Sequence, residues 1–193
     1  MQEMIEKIVE SFIVFLVIMD PFSSLPVFLA LTRKFKLSER KRAADKAVLV
    51  AALPIIVFAL TGTTILSLLG ISLPAFRIAG GIVLALMGIQ LVLSISVHQE
   101  KVRDGSAAGV IIGVPLITGP AVITSTIIFS QQVGVLATIA AAALALAVVW
   151  GVLRSANFFA RLLGSQGMQV LTRIMGLLLT AIAVSMIQKG IVG

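Results

Sequence analysis

The chain has no cysteine and no tyrosine, and a single histidine and tryptophan among its 193 residues. Without cysteine there is no disulfide framework, no thiolate nucleophile and no Cys-ligated zinc. The lone His98 sits in a charged loop, so imidazole-based catalysis and metal binding lose their usual ligand. Charge is scarce too. Charged residues make up 12% of the chain and apolar ones 59%, against about 25% and about 45–50% in soluble domains. Mean hydropathy is +1.15. A water-soluble core of this size cannot hide so much apolar surface, so the solvent is lipid. The chain opens with Glu3, Glu6 and Glu10 against Lys7, the reverse of the basic start of a cleaved signal.

What remains is long apolar runs. A helix needs about 20 mostly apolar residues to cross a hydrocarbon layer about 30 Å thick. Six segments qualify, at about 11–31, 47–69, 78–97, 108–130, 134–153 and 168–188. The formal net charge of +7 would point to nucleic acid on a soluble face, but here it is bunched between apolar runs. Arg33, Lys34, Lys36, Arg40, Lys41, Arg42 and Lys46 follow the first run. Lys101 and Arg103 follow the third, and Arg154, Arg161 and Arg173 lie around the fifth-to-sixth connection. Twelve of the fifteen basic residues therefore fall on one side, leaving Lys7, Arg77 and Lys189 on the other. Positive loops stay cytoplasmic, which predicts both termini outside. Membrane lipid is an expected partner and nucleic acid is not.

Short motifs recur about 95 residues apart. Pro21-Phe22-Ser23-Ser24-Leu25-Pro26 shares its frame with Pro115-Leu116-Ile117-Thr118-Gly119-Pro120. Arg77-Ile78-Ala79-Gly80 with Ala85 matches Arg173-Ile174-Met175-Gly176 with Ala181. Two matches in the same order predict a duplicated three-helix unit. The expected fold is all-α: one transmembrane domain over 1–193, with repeat one at about 8–97 and repeat two at about 108–190. A cytoplasmic loop at about 98–107 joins them. Three helices per unit invert the second copy, an arrangement typical of secondary transporters with a mid-membrane site.

Proline inside a helix removes a backbone bond and clashes with the preceding turn. The paired prolines are expected to interrupt the first and fourth helices near mid-membrane, and matched interruptions point to a transport site. Asp20 is the only carboxylate within any span, where an aspartate costs about 2.5–3.5 kcal/mol on the insertion scale. It reads equally as a cap for the half-helix starting at Pro21 and as a cavity group holding an ammonium or a coupling cation. Ser23, Ser24 and Thr118 either line the site or bond carbonyls freed by the prolines. Thr124, Ser125 and Thr126 read as interhelical contacts, and Gly80, Gly81 and Gly88 as a packing seam. Pro54 reads as a kink, and Arg77 and Arg173 as snorkelling side chains at helix ends.

The stretch Asp20-Pro21-Phe22-Ser23-Ser24-Leu25-Pro26-Val27-Phe28, with Pro115-Leu116-Ile117-Thr118-Gly119-Pro120, resembles the MarC family of inner-membrane proteins over essentially the whole chain. The resemblance implies a secondary-active transporter of small neutral amino acids (glycine, alanine, serine), working by alternating access with proton or sodium coupling. The substrate-binding set is then Asp20, Pro21, Ser23, Ser24, Pro26, Thr118, Gly119 and Pro120, with Asp20 as the ion-coupling group and no other cofactor. An exporter of amino acids or other small solutes would share this architecture. An intramembrane enzyme would need a Ser/His pair or an Arg-rich intramembrane site, so no enzymatic activity is expected.

Overall fold

The computed structural model describes residues 2–32, 34–93 and 117–192; for residues 2–4, 23, 26, 30 and 165 it describes the backbone alone. The expected loop at 98–107, the end of the third span and the start of the fourth, with Pro115 and Leu116, lie outside the described residues. These form seven α-helices: α1 (Gln2–Met19), α2 (Pro21–Leu31), α3 (Leu37–Leu68), α4 (Leu73–Val92), α5 (Pro120–Gln132), α6 (Val135–Arg154) and α7 (Ala156–Val192). Glycine at position 164 breaks α7 with φ 61° and ψ −175°.

Among the described residues four stretches are long and apolar enough to cross a membrane: Leu37–Leu68, Leu73–Val92, Val135–Arg154 and Gln166–Val192. The sixth expected span thus begins within two residues of its observed start, and the fifth within one. The second does not. The basic stretch 37–46 belongs to α3, whose 32 residues reach about 48 Å at 1.5 Å per residue, well beyond a hydrocarbon layer of about 30 Å. Lys, Arg, Glu and Ala are good helix formers, so the helix continues into the interface where hydropathy fails. The Glu39 carboxylate accepts the Lys36 N–H at 2.8 Å and fixes the start.

Side-chain placement is that of a protein dissolved in lipid. The buried stripe of α3 is Ala43, Ala44, Ala47, Ala51, Ile55, Ala59, Gly62 and Leu66, while Leu49 and Leu53 are 72% and 65% exposed. The large apolar groups face outward and the small ones inward, since close backbone approach, not apolar burial, holds helices together in lipid. α3 packs on α6 and α5, α1 on α6, and α2 on α7 and α6.

The most extensive pairing is α4 with α7. A Cβ on Gly81 would lie 2.9 Å from the Ala183 carbonyl oxygen. One on Gly88 would lie 2.7 Å from the Gly176 oxygen, and one on Gly190 would lie 2.9 Å from the Pro74 oxygen. Rising numbers on α4 meet falling numbers on α7, so the two helices run antiparallel. Gly80 instead receives the Thr124 side chain of α5. The expected glycine seam is real, and it joins α4 to two helices.

Candidate functional site

The first interruption falls at Asp20. Proline at 21 has no N–H and disfavours the α region for the residue before it, so α1 stops at Met19. Asp20 takes φ 38°, a left-handed conformation that Asp tolerates better than most side chains. Its N–H still donates to the Leu16 carbonyl at 3.2 Å. Its own carbonyl accepts the Ser24 N–H at 3.3 Å and the Ser24 hydroxyl at 3.0 Å. One residue thus ends one helix and starts the next. An ordinary N-cap has extended dihedrals; this one does not.

The pair Pro21 and Pro26 was expected to interrupt the first helix, and the structure places that break ahead of Pro21. α2 begins at Pro21 and its backbone runs helically through Pro26 to Leu31. At N1 the missing N–H would have had no partner anyway, so the break sits ahead of Pro21. Pro26 merely denies the Phe22 carbonyl its donor four residues on. The side chains of Ser23 and Pro26 lie outside the described residues.

Of the expected second interruption, only the part from residue 117 on lies within the described residues, and there the start of α5 is built differently. Gly119 is the N-cap of α5, with φ −71° and ψ 176°, and Pro120 follows at the helix start. The Gly119 carbonyl accepts the N–H groups of Val122 and Ile123 at 3.0 and 3.2 Å. Thr118, 1% exposed, donates its hydroxyl to the Ala51 carbonyl of α3 at 2.8 Å. Ala51 lies three residues before Pro54, where proline disturbs the carbonyls of the preceding turn. This cross-link was not expected from the sequence; the signal was Pro54, read as a local kink.

The break at Asp20 and the start of α5 border one core, with Ile18, Met19 and Leu25 beside the first and Ile117, Ala121 and Val122 beside the second. Asp20 is 5% and Ser24 3% exposed. Pro21 and Gly119 are buried and Pro120 is exposed. Thr124 and Thr126 donate within their own helix, to the carbonyls of Pro120 and Val122, and Thr124 also fills the notch at Gly80. No group of three or more His, Cys, Asp and Glu residues able to hold a metal occurs among the described residues.

At the opposite end from the chain's start, Arg40 ties three elements together. It donates to the Thr32 carbonyl at 2.9 Å and to the Asn157 side-chain oxygen of α7. A guanidinium there satisfies the C-terminal end of α2, where cations are favoured. Nearby, Asp45 of α3 accepts from Arg154 at 2.6 Å and from the Trp150 indole at 2.7 Å. With 37% and 40% exposure in the Arg154–Asp45 pair, this contact adds little stability by charge alone.

Apolar helices of spanning length, an alanine-and-glycine interior and leucines turned outward define an integral membrane protein. Residues 5–193 match the family described as MarC family integral membrane protein, and the chain belongs to that family. It is 35% identical to a UPF0056 membrane protein of Methanocaldococcus jannaschii, over 91% of each chain. It is 32% identical to the UPF0056 membrane protein YhcE of Escherichia coli K12, over 94% of this chain and 90% of the relative. At 28% identity it is similar to YhgN of the same organism, named an inner membrane protein, over 96% of each. No solved structure matches the chain.

Proposed function

We propose that this MarC-family protein is a secondary-active transporter of small neutral amino acids, built as two inverted three-helix repeats and working by alternating access. The observation that carries the reading is a buried carboxylate at a helix interruption, Asp20, whose neighbours share a core with those at the start of α5. The antiparallel pairing of α4 and α7, third helices of the two expected repeats, supports inversion.

A free amino acid carries a carboxylate and an ammonium whatever its side chain. The first turns of α2 and α5 offer N–H groups without intrahelical partners and the positive end of the helix dipole, which suit the carboxylate. Asp20 and the carbonyls at the breaks suit the ammonium or a coupling proton or sodium ion. Pro21, Ser23, Ser24, Pro26, Thr118, Gly119 and Pro120 complete the proposed lining. The Ser24 and Thr118 hydroxyls, which donate to backbone carbonyls, keep their lone pairs for a solute. A charged solute side chain would find no counter-ion there and would cost several kcal/mol to bury. The reading places the protein in the inner membrane with both termini outside the cytoplasm. Direction follows the gradients, so export uses the same machinery.

Counterflow of labelled alanine in proteoliposomes, with and without sodium and a proton gradient, tests this. Saturable exchange inhibited by glycine and not by lysine or glutamate is expected. Flux that is linear in concentration and shows no counterflow would make the protein a channel and remove the proposal.

A further inference from the structure

The side that carries the start of α1 and the end of α7 holds three basic residues, Lys7, Arg77 and Lys189, by the charge bias of the sequence. Arg77 and Lys189 border one cavity, and Lys7 borders a second that shares part of its lining. A cavity of about 180 Å³ between α1, α4, α5 and α7 is lined by Glu10, Arg77, Ser125, Gln132, Ser185 and Lys189, among others. A second cavity of about 320 Å³ shares Glu10, Phe129 and Gln132 with it and adds Lys7. Arg77 therefore does more than snorkel at a helix end.

The opening is graded in depth. Gln132 and Lys189 are exposed at the rim and Arg77 is half-buried, while Ser125 is 3% exposed. Ser125 stands five residues along α5 from Pro120, about 7.5 Å of helix. The floor of the opening thus lies on the helix that starts at Gly119 and Pro120. Among the described residues, Arg77 and Lys189 form no ion pair with Glu10. Two guanidinium or ammonium groups against one carboxylate leave the first cavity net positive, and cavities walled by low-dielectric protein focus such a field.

We propose that this opening is an outer vestibule that captures small zwitterionic solutes. Arg77 and Lys189 take the carboxylate and Glu10 the ammonium, ahead of passage along α5 to the interruptions. The identity of the solute rests on the transport reading above; the positive, solute-binding vestibule does not. It also accounts for two cations gathered at one cavity, with Lys7 beside the next, on a face where topology keeps them few.

The chain has no cysteine, so Gln132→Cys supplies a single thiol at the rim. In sealed vesicles it should react with an anionic sulfonate thiol reagent about tenfold faster than with the cationic ammonium analogue, relative to free thiol. That is the bias of one unit charge within about 7 Å at a dielectric between those of protein and water. The exposed Lys189→Gln alone, which leaves Arg77 against Glu10, should abolish the bias without a folding risk, and adding Arg77→Gln should reverse it. Saturating alanine should slow the reaction at least threefold, and alanine methyl ester should not. Adding Asp20→Asn, which should stop transport, should leave bias and protection in place. Equal rates for the two reagents, or protection that survives the double charge variant, would overturn the vestibule whether or not alanine is transported. Protection by phosphatidylglycerol in the vesicles and not by alanine would overturn it in favour of a lipid headgroup.

Discussion

The break between α1 and α2 and the start of α5 open their helices with opposite chemistry. At the first, a charged residue is held at φ 38° and its carbonyl takes both donors of Ser24. At the second, a glycine sits at φ −71° and ψ 176°, which any residue can adopt, and a neighbouring threonine is tied to α3. A left-handed backbone costs an L-residue about 1–2 kcal/mol, and a carboxylate inside a span costs more. If a break were all that was needed, glycine would serve at both places. In the proposed mechanism Asp20 therefore carries the chemistry, and Gly119 is a permissive helix start.

The comparison depends on orientation, and the largest effect tests that. With both termini outside, a cysteine replacing Ser72, the N-cap of α4, should label fully with an impermeant thiol reagent in intact cells. One replacing Ser38, near the start of α3, should label only after permeabilisation. Labelling of both in intact cells would leave the orientation without support.

Next in size is the charge at the first interruption. Asp20→Asn keeps shape and polarity and should lower concentrative alanine uptake at least tenfold while expressing and folding normally. Full accumulation by this variant would reduce Asp20 to a helix cap and level the two breaks. Asp20→Gly separates backbone from charge. Uptake should fall as far, yet the thermal midpoint in detergent should hold or rise, because glycine removes a left-handed penalty of about 1 kcal/mol.

Smaller effects belong to the second interruption. Thr118→Val removes the hydrogen bond to Ala51 and leaves that carbonyl buried, for a loss of about 1–3 kcal/mol, read as a lower unfolding midpoint. The smallest is Gly119→Ala. Since φ there is ordinary, stability should change by less than about 1 kcal/mol. The added methyl should weaken competition by alanine a few-fold more than competition by glycine. Equal losses for both solutes would place Gly119 away from the solute.

The class of protein was legible in the residues alone because hydropathy and proline act locally. Apolar runs mark where lipid is the solvent, and a proline ends a helix through its own ring and missing N–H. The fifth span, the glycine seam on α4 and the break ahead of Pro21 could all be read that way. The helical run of α3 through its basic stretch could not, because hydropathy reports lipid contact and says little about where hydrogen bonding stops. Likewise, the pair Pro21 and Pro26 marked an interruption without showing that it sits ahead of Pro21 while the helix runs on through Pro26, because the cost of a proline depends on its position in the helix.

What only the tertiary structure decided are the encounters between distant residues. Thr118 meets Ala51 across 67 positions, Trp150 meets Asp45 across 105, and Gly88 faces Gly176. Glu10, Arg77 and Lys189, each unremarkable in its own helix, share one opening because four helices converge there. Local chemistry sets which segments are helical and which solvent they meet. The chemistry of a site depends on which helix faces come together, and that is settled by packing small residues against backbone across the whole chain.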